Sequence, residues 1–265
     1  MTAALELLLA AAERREGVYY LTVPERFAQD EERYRRLRAR EGRLYPDAAV
    51  RSLPGVPPGH PLAGEWAARA DSLVRLTRYV SRSGRALIVL DLGCGNGWLA
   101  HHLAALNEVA VYGVDLNQAE LAQAARVFAG QPRLHFVYAD VFTAAWPAQM
   151  CDLIIVASAI QYFPDLPALV RRLLALLTPR GEVHLLDSPL YHPAEAPAAQ
   201  ARTRAYYAGL GCADMAAAYH HHTFTELAPF APELLYDPAA VLNRFARRLG
   251  AARSPFPWLR LRAPA

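Results

Sequence analysis

Seven consecutive residues, Asp91-Leu92-Gly93-Cys94-Gly95-Asn96-Gly97, set an acid beside three alternating glycines. Glycine reaches backbone angles closed to other residues and lets a ligand lie against the main chain. The apolar run Ala86-Leu87-Ile88-Val89-Leu90 precedes them, and a helical stretch from Trp98 to Leu106 follows. The order is buried strand, glycine turn, helix. The first N–H groups of such a helix lack partners inside it and point at the turn, where a polar or anionic group binds. Two further acids end apolar runs: Asp115 closes Val111-Tyr112-Gly113-Val114, 24 residues after Asp91, and Asp140 follows Tyr138-Ala139. An acid at the tip of a second strand at about this spacing accepts hydrogen bonds from both hydroxyls of a ribose. Three acids at consecutive strand tips, in register with the glycine turn, describe a nucleoside site at the carboxyl edge of a parallel sheet.

Two nucleoside patterns compete for this turn. The dinucleotide pattern G-x-G-x-x-G wants glycine where Trp98 stands, because that glycine lets helix and strand pack closely. Gly97 comes two residues after Gly95 instead. The run fills every signature position of D/E-x-G-x-G-x-G and resembles motif I of the class I S-adenosylmethionine (SAM)-dependent methyltransferases. The resemblance covers residues 65–190 well and the remainder loosely. It implies SAM as methyl donor and S-adenosylhomocysteine as product. It also implies a cofactor set of Asp91, Gly93, Cys94, Gly95, Asn96 and Gly97 in the turn. Asp115 and Leu116 follow after the second strand, Asp140 and Val141 after the third, and Ala157 on the strand beneath the cofactor. In that family the acid after strand three meets the adenine amino group, and its neighbour's backbone reads the ring. Arg69, three residues after Trp66, offers a bidentate cation for the methionine carboxylate.

The strand Asp152–Ala157 runs into Ser158-Ala159-Ile160-Gln161-Tyr162. The resembling enzymes that methylate nucleic-acid amino groups carry [D/N/S]-P-P-[Y/F] here, and this chain does not, which argues against adenine or cytosine as acceptor. Gln161 and Tyr162 are candidate acceptor contacts, as is Tyr191 after strand five. His192 beside it is the candidate general base, because histidine titrates near neutrality. His220-His221-His222 is not read as a metal site. Adjacent side chains point different ways on regular backbone, and no carboxylate is spaced to complete a set.

The elements that must hold these residues alternate. Strands are predicted at 86–91, 109–115, 134–138, 152–157 and 182–187, with helices between them. This alternation predicts an α/β fold with a parallel sheet wound on both faces. Two later strand candidates, 233–236 and 258–262, complete the seven-stranded, mostly parallel sheet of the resembling family. Residues 1–64 are read as an N-terminal helical cap and linker, with helices over 4–16 and 24–41 and irregular Pro/Gly-rich chain over 42–64. Residues 65–265 form the SAM-binding domain, with a lid-like insertion at 188–224.

The 265 residues carry 28 basic side chains, all arginine, and a net charge of +3. The densest cluster, Arg33–Arg43, is interleaved with Glu31, Glu32 and Glu41, so no nucleic-acid stripe is expected. The apolar start, Ala3–Ala12, is interrupted by Glu6 and is too short to span a bilayer. Cys94, Cys151 and Cys212 have no metal or disulfide spacing. The expectation is a cytoplasmic enzyme without metal, nucleic-acid or membrane partner, methylating a heteroatom of a small apolar or aromatic molecule. Its non-core segments hold Tyr19, Tyr20, Tyr34, Tyr45, Tyr191, Tyr206, Tyr207 and Tyr219, which suits such an acceptor. A non-catalytic SAM-binding or partner-binding module and a NAD-dependent oxidoreductase are the competing classes. Oligomeric state is not legible.

Overall fold

The computed structural model describes residues 3–263. The N-terminal part holds α1 (Ala3–Ala11), β1 (Glu13–Arg15), β2 (Val18–Tyr20), α2 (Ala28–Arg40) and α3 (Asp47–Ser52). The core then alternates: α4 (Ala63–Ser81), β3 (Leu87–Leu92), α5 (Trp98–Ala104), β4 (Val109–Asp115), α6 (Gln118–Val127), β5 (Leu134–Tyr138), β6 (Cys151–Ala157), α7 (Leu166–Leu176) and β7 (Leu177–Leu186). The last part holds α8 (Ala196–Gly209), α9 (Phe224–Leu227), β8 (Glu233–Tyr236), α10 (Val241–Arg248) and β9 (Trp258–Arg262).

One sheet of nine strands runs β1-β2-β5-β4-β3-β6-β7-β9-β8. From β5 to β7 every pairing is parallel, and β9 enters antiparallel between β7 and β8. Seven of these strands are the expected sheet. The other two correct the expectation of a purely helical cap. Residues 13–20 turn into a hairpin, and β2 lies parallel to β5, Val18 opposite Phe136. Val18 is fully buried there. Helical periodicity over 4–16 hid this, because Arg14, Arg15 and Gly17 carry no apolar alternation.

The strands bury both faces, as their aliphatic runs require. Leu90, Leu92, Tyr112, Val114, Ile154 and Val156 pack with Leu5 and Leu9 of α1 and Leu166, Leu169 and Leu173 of α7. Leu87, Val89, Val111, Leu153 and Ile155 pack on the opposite face with Leu76, Leu99, Leu121 and Ala124 of α4, α5 and α6. A third, smaller cluster joins segments far apart in sequence. Leu37 of α2 meets Tyr207, Cys212 and Met215. Arg36 pairs with Asp214, and the Tyr206 hydroxyl donates to Glu41 at 2.9 Å. Helix α2 and the 188–224 segment therefore form one roof over the carboxyl edge of the sheet.

Candidate active site

The glycine turn lies where β3 hands over to α5. The N–H groups of Gly93 and Cys94 both donate to the Val114 carbonyl of the neighbouring strand, at 2.8 and 3.2 Å. All three glycines are left-handed, with φ of 75°, 52° and 74° at Gly93, Gly95 and Gly97. Their reasons differ. A Cβ on Gly97 would stand 2.6 Å from the Phe136 ring, so this glycine serves helix–sheet packing. A Cβ on Gly95 would meet the Glu120 carboxylate at 3.3 Å, on the side of the cavity.

Four acids surround the turn, and each has its own surroundings. Asp91 is 1% exposed, and its Oδ2 has no hydrogen-bond partner among the described residues. Burial, reinforced by the nearby Asp115 charge, pushes its pKa up to about 7. Asp115 is internally engaged. Its Oδ2 accepts from Gly95 N at 2.8 Å, and its Oδ1 accepts from Leu116 N and Asn117 N at 2.7 and 2.9 Å. Three N–H groups fill most of a carboxylate's acceptor positions. Glu120, in the first turn of α6, has no side-chain hydrogen bond among the described residues and faces the turn. Burial and Asp115 raise its pKa to about 7 as well. Asp187 follows β7, and its Oδ1 accepts from Ser72 Oγ and Ser254 Oγ, both at 2.7 Å. Burial raises it too. Asp187 and Ser158, at adjacent strand tips, both hold left-handed backbone at φ of 53° and 55°, and Ser158 Oγ donates to the Asp187 carbonyl. Such strain in non-glycine residues clusters at functional sites.

Two adjoining cavities open above these tips. The first is a cleft of about 100 Å³ over the turn, bounded by Asp91, Gly93, Cys94, Gly95, Asn96, Glu120 and Ala157 below and by Tyr34, Tyr45 and Trp66 above. The second holds about 710 Å³ under the roof, with Gln161, Tyr162, Tyr206, Tyr207 and Tyr219 in its wall. Arg38, Arg43, Arg69, Ser158 and Asp187 line both. Arginines link the roof to the core and brace each side of the junction. Arg43 reaches both oxygens of Glu65, at 2.8 and 2.5 Å, and Arg69 donates to the same carboxylate at 2.8 Å. Burial alone would raise Glu65, but Arg43 and Arg69 bring its carboxyl down to about 2. Arg38 bonds Glu41 and the Tyr162 hydroxyl, at 2.6 and 2.7 Å.

Of the residues singled out in the sequence, Arg69, Asp91, Gly93, Cys94, Gly95, Asn96 and Ala157 line the first cavity. Gln161 and Tyr162 line the second. Leu116 and Val141 line neither, nor does Asp140, whose oxygens accept from Phe142 N and Thr143 Oγ1. Tyr191 and His192 also lie elsewhere. Tyr191 bridges to Thr223 and tilts onto His221. His192 is exposed against Phe224, because the chain after Pro189 turns outward to begin α8. His221 meets Thr203 Oγ1 within the roof, and His222 Nε2 ties the roof to the core at the carbonyls of Ile160 and Phe163. Sequence reasoning missed Glu120, Asp187 and Arg38. An acid in a first helical turn is ordinary, so Glu120 had no signal. Asp187 had one: it ends a strand as Asp115 does.

Residues 89–181 match the family described as "Methyltransferase domain". This stretch is similar to a methyltransferase domain. Over 102 residues the chain is 29% identical to 27-O-demethylrifamycin SV methyltransferase of Amycolatopsis mediterranei, 37% of this chain and 38% of that one. Over 94 residues it is 39% identical to trans-aconitate 2-methyltransferase of Variovorax paradoxus, 35% of each chain. The alignments thus span little more than a third of either relative. The solved geranyl diphosphate C-methyltransferase of Streptomyces coelicolor, complexed with Mg2+, geranyl diphosphate and S-adenosyl-L-homocysteine, shares the fold. Its TM-score is 0.50 at 15% identity, over 81% of this chain and 86% of that one. SAM is the cofactor that this similarity implies. The site fits it: the orphaned Asp91 oxygen suits its ammonium group, and Gly95 leaves the main chain bare.

Proposed function

We propose that this protein transfers a methyl group from SAM to a heteroatom of a small, partly aromatic molecule held under the roof. One observation carries the reading: the larger cavity shares the wall Arg38, Arg43, Arg69, Ser158 and Asp187 with the cleft over the glycine turn. An acceptor in one therefore borders a donor in the other. SAM supplies a methyl already activated by its positive sulfur. The chain's part is to bring the partners together and exclude water, a proximity effect.

The residues divide that work. Asp91 accepts from the ammonium of the methionine moiety and Arg69 faces its carboxylate. Glu120, beside Gly95, meets the ribose hydroxyls, while Asp115 holds the turn in shape. Tyr162, Tyr206, Tyr207 and Tyr219 offer ring faces to the acceptor. Asp187 stands at the junction with one oxygen clamped by Ser72 and Ser254. Its other oxygen takes the proton that the acceptor releases. Both curated relatives bear names of small-molecule methyltransferases, which supports an acceptor of that kind.

The test is a pair of measurements. Calorimetry with SAM, then NADH, should show binding of SAM alone. A panel of hydroxyl- and amine-bearing small molecules with labelled SAM should then yield a methylated product. Tight NADH binding without SAM binding would overturn the assignment.

A further inference from the structure

Helix α10 is assembled inside out. It spans eight residues and none of them is buried. With about 3.6 residues per turn, Val241, Phe245, Leu249 and Leu242 share one arc of about 100°. A soluble helix turns such an arc inward. Here these four side chains are 71%, 59%, 72% and 81% exposed, in that order. The helix meets the protein through its polar side instead. Asn243 Nδ2 donates to the Asp237 carbonyl, and Arg247 donates to the carbonyls of Pro238 and Ser254, at 2.7 and 3.4 Å. Arg244 and Arg248 flank the apolar arc, are exposed, and make no ion pair among the described residues. The helix follows β8, the edge strand of the sheet, so the arc lies at the periphery.

We propose that α10 seats this protein on an anionic phospholipid bilayer, its apolar arc in the headgroup–acyl boundary and Arg244 and Arg248 on the lipid phosphates. An apolar arc bordered by arginines is the pattern of an interfacial helix. Charge decides the occupant. A second copy docked face to face would bring Arg244 and Arg248 against their own equivalents. An eight-residue helix edge also falls well short of the roughly 800 Å² per partner of a stable interface. A bilayer needs no matching shape and neutralises both arginines, each favoured near an anionic surface. Among the described residues no helix is long and apolar enough to cross a membrane, so the contact is peripheral. The expectation of no membrane partner rests on the lack of a bilayer-spanning run at the N-terminus, which an interfacial helix does not require. The proposal stands whether or not the protein transfers methyl groups.

Vesicle flotation tests it with the full chain. Wild-type protein should partition at least about tenfold more strongly onto phosphatidylcholine vesicles with roughly 30% phosphatidylserine than onto pure phosphatidylcholine, and raised salt should weaken it. Leu242→Glu with Phe245→Glu should reduce partitioning about tenfold or more, and Arg244→Glu with Arg248→Glu should remove the preference for the anionic lipid. Both double variants should melt like the wild type, since all four side chains are exposed. No partitioning of the wild type onto anionic vesicles overturns the proposal. So does partitioning that the Leu242/Phe245 variant retains, or a dimer that this variant dissolves in a protein that ignores vesicles.

Discussion

The two cavities are built by different means. The cleft over the glycine turn rests on the tips of β3, β4 and β6 and the first turns of α5 and α6, so backbone hydrogen bonds fix its floor. Asp115 alone holds three N–H groups of that floor. The larger cavity has the sheet edge below but side chains of α2 and α8 above, joined to the core by Arg38 on Tyr162 and Arg43 on Glu65. Its small core comprises Leu37, Tyr207, Cys212 and Met215. The lesson is a division of rigidity. The floor of the cleft is held by main-chain groups, whereas the wall of the larger cavity is held by side-chain contacts of Arg38 and Arg43.

Substitutions at the floor should bring the largest effects. Gly97→Val would set a branched side chain against the Phe136 ring and Ala124, whose atoms lie 2.6 and 2.9 Å from a Cβ there. It should cost about 4 kcal/mol, read by denaturant unfolding. Gly95→Val should keep the fold and instead weaken SAM at least about tenfold. If both variants lose stability equally, the two glycines do not differ as described.

Asp115→Ala comes next. An acid that met only a ribose could be removed without loss of stability. The structure reverses this, because three turn N–H groups lose their acceptor. A loss of about 3 kcal/mol is expected, together with weaker SAM binding, and Asp115→Asn should cost less. An unchanged melting temperature would restore Asp115 as a ligand-facing acid.

The pKa shifts at Asp91 and Glu120 set a pH dependence with two opposite signs. Both carboxyls sit near 7 in the fold, above their unfolded values near 4. Between those limits the native state binds more protons than the unfolded chain. Without ligand, the protein should therefore become less stable as pH rises from about 4 to about 7. SAM binding should instead strengthen with rising pH until Asp91 is ionised, near 7. Asp91→Asn should weaken SAM by about tenfold at pH 8 and flatten both curves. SAM affinity that ignores pH between 6 and 8 would remove the Asp91–ammonium contact.

On the roof side Arg38→Ala should loosen α2 without reaching the floor. Its amide exchange should speed up by a few fold while β3 and β4 stay protected, as local opening implies. Equal protection of both regions would erase the contrast between the cavities. His192→Ala should change least: an exposed ring outside both cavities should leave melting temperature and SAM affinity as in the wild type. A fall in SAM affinity would mean that the segment after β7 folds inward when ligand binds.

The sequence by itself determined the donor side. Alternating aliphatic runs have one stable use, a sheet buried on both faces. Three glycines between Asp91 and Trp98 then demand a left-handed turn, which brings Asp91, Gly95 and Ala157 to the wall of one cavity. Local rules reached that far because strand, turn and helix adjoin in the chain. They failed where a neighbour came from afar. The hairpin at 13–20 is a strand only because β5 offers it a free edge. Glu120 faces the cleft only because Gly95 has no side chain to keep it away. Tyr191 and His192 follow a strand that ends at the site, yet the path into α8 carries them off it. Asp187 and Arg38, more than a hundred residues apart, share a wall because cap and insertion close on each other through Leu37 and Tyr207. The outward face of α10 is of the same kind. Its amphipathic pattern is plain in the residues, but the direction it points was decided by the hydrogen bonds that pin Asn243 and Arg247 to the chain behind it.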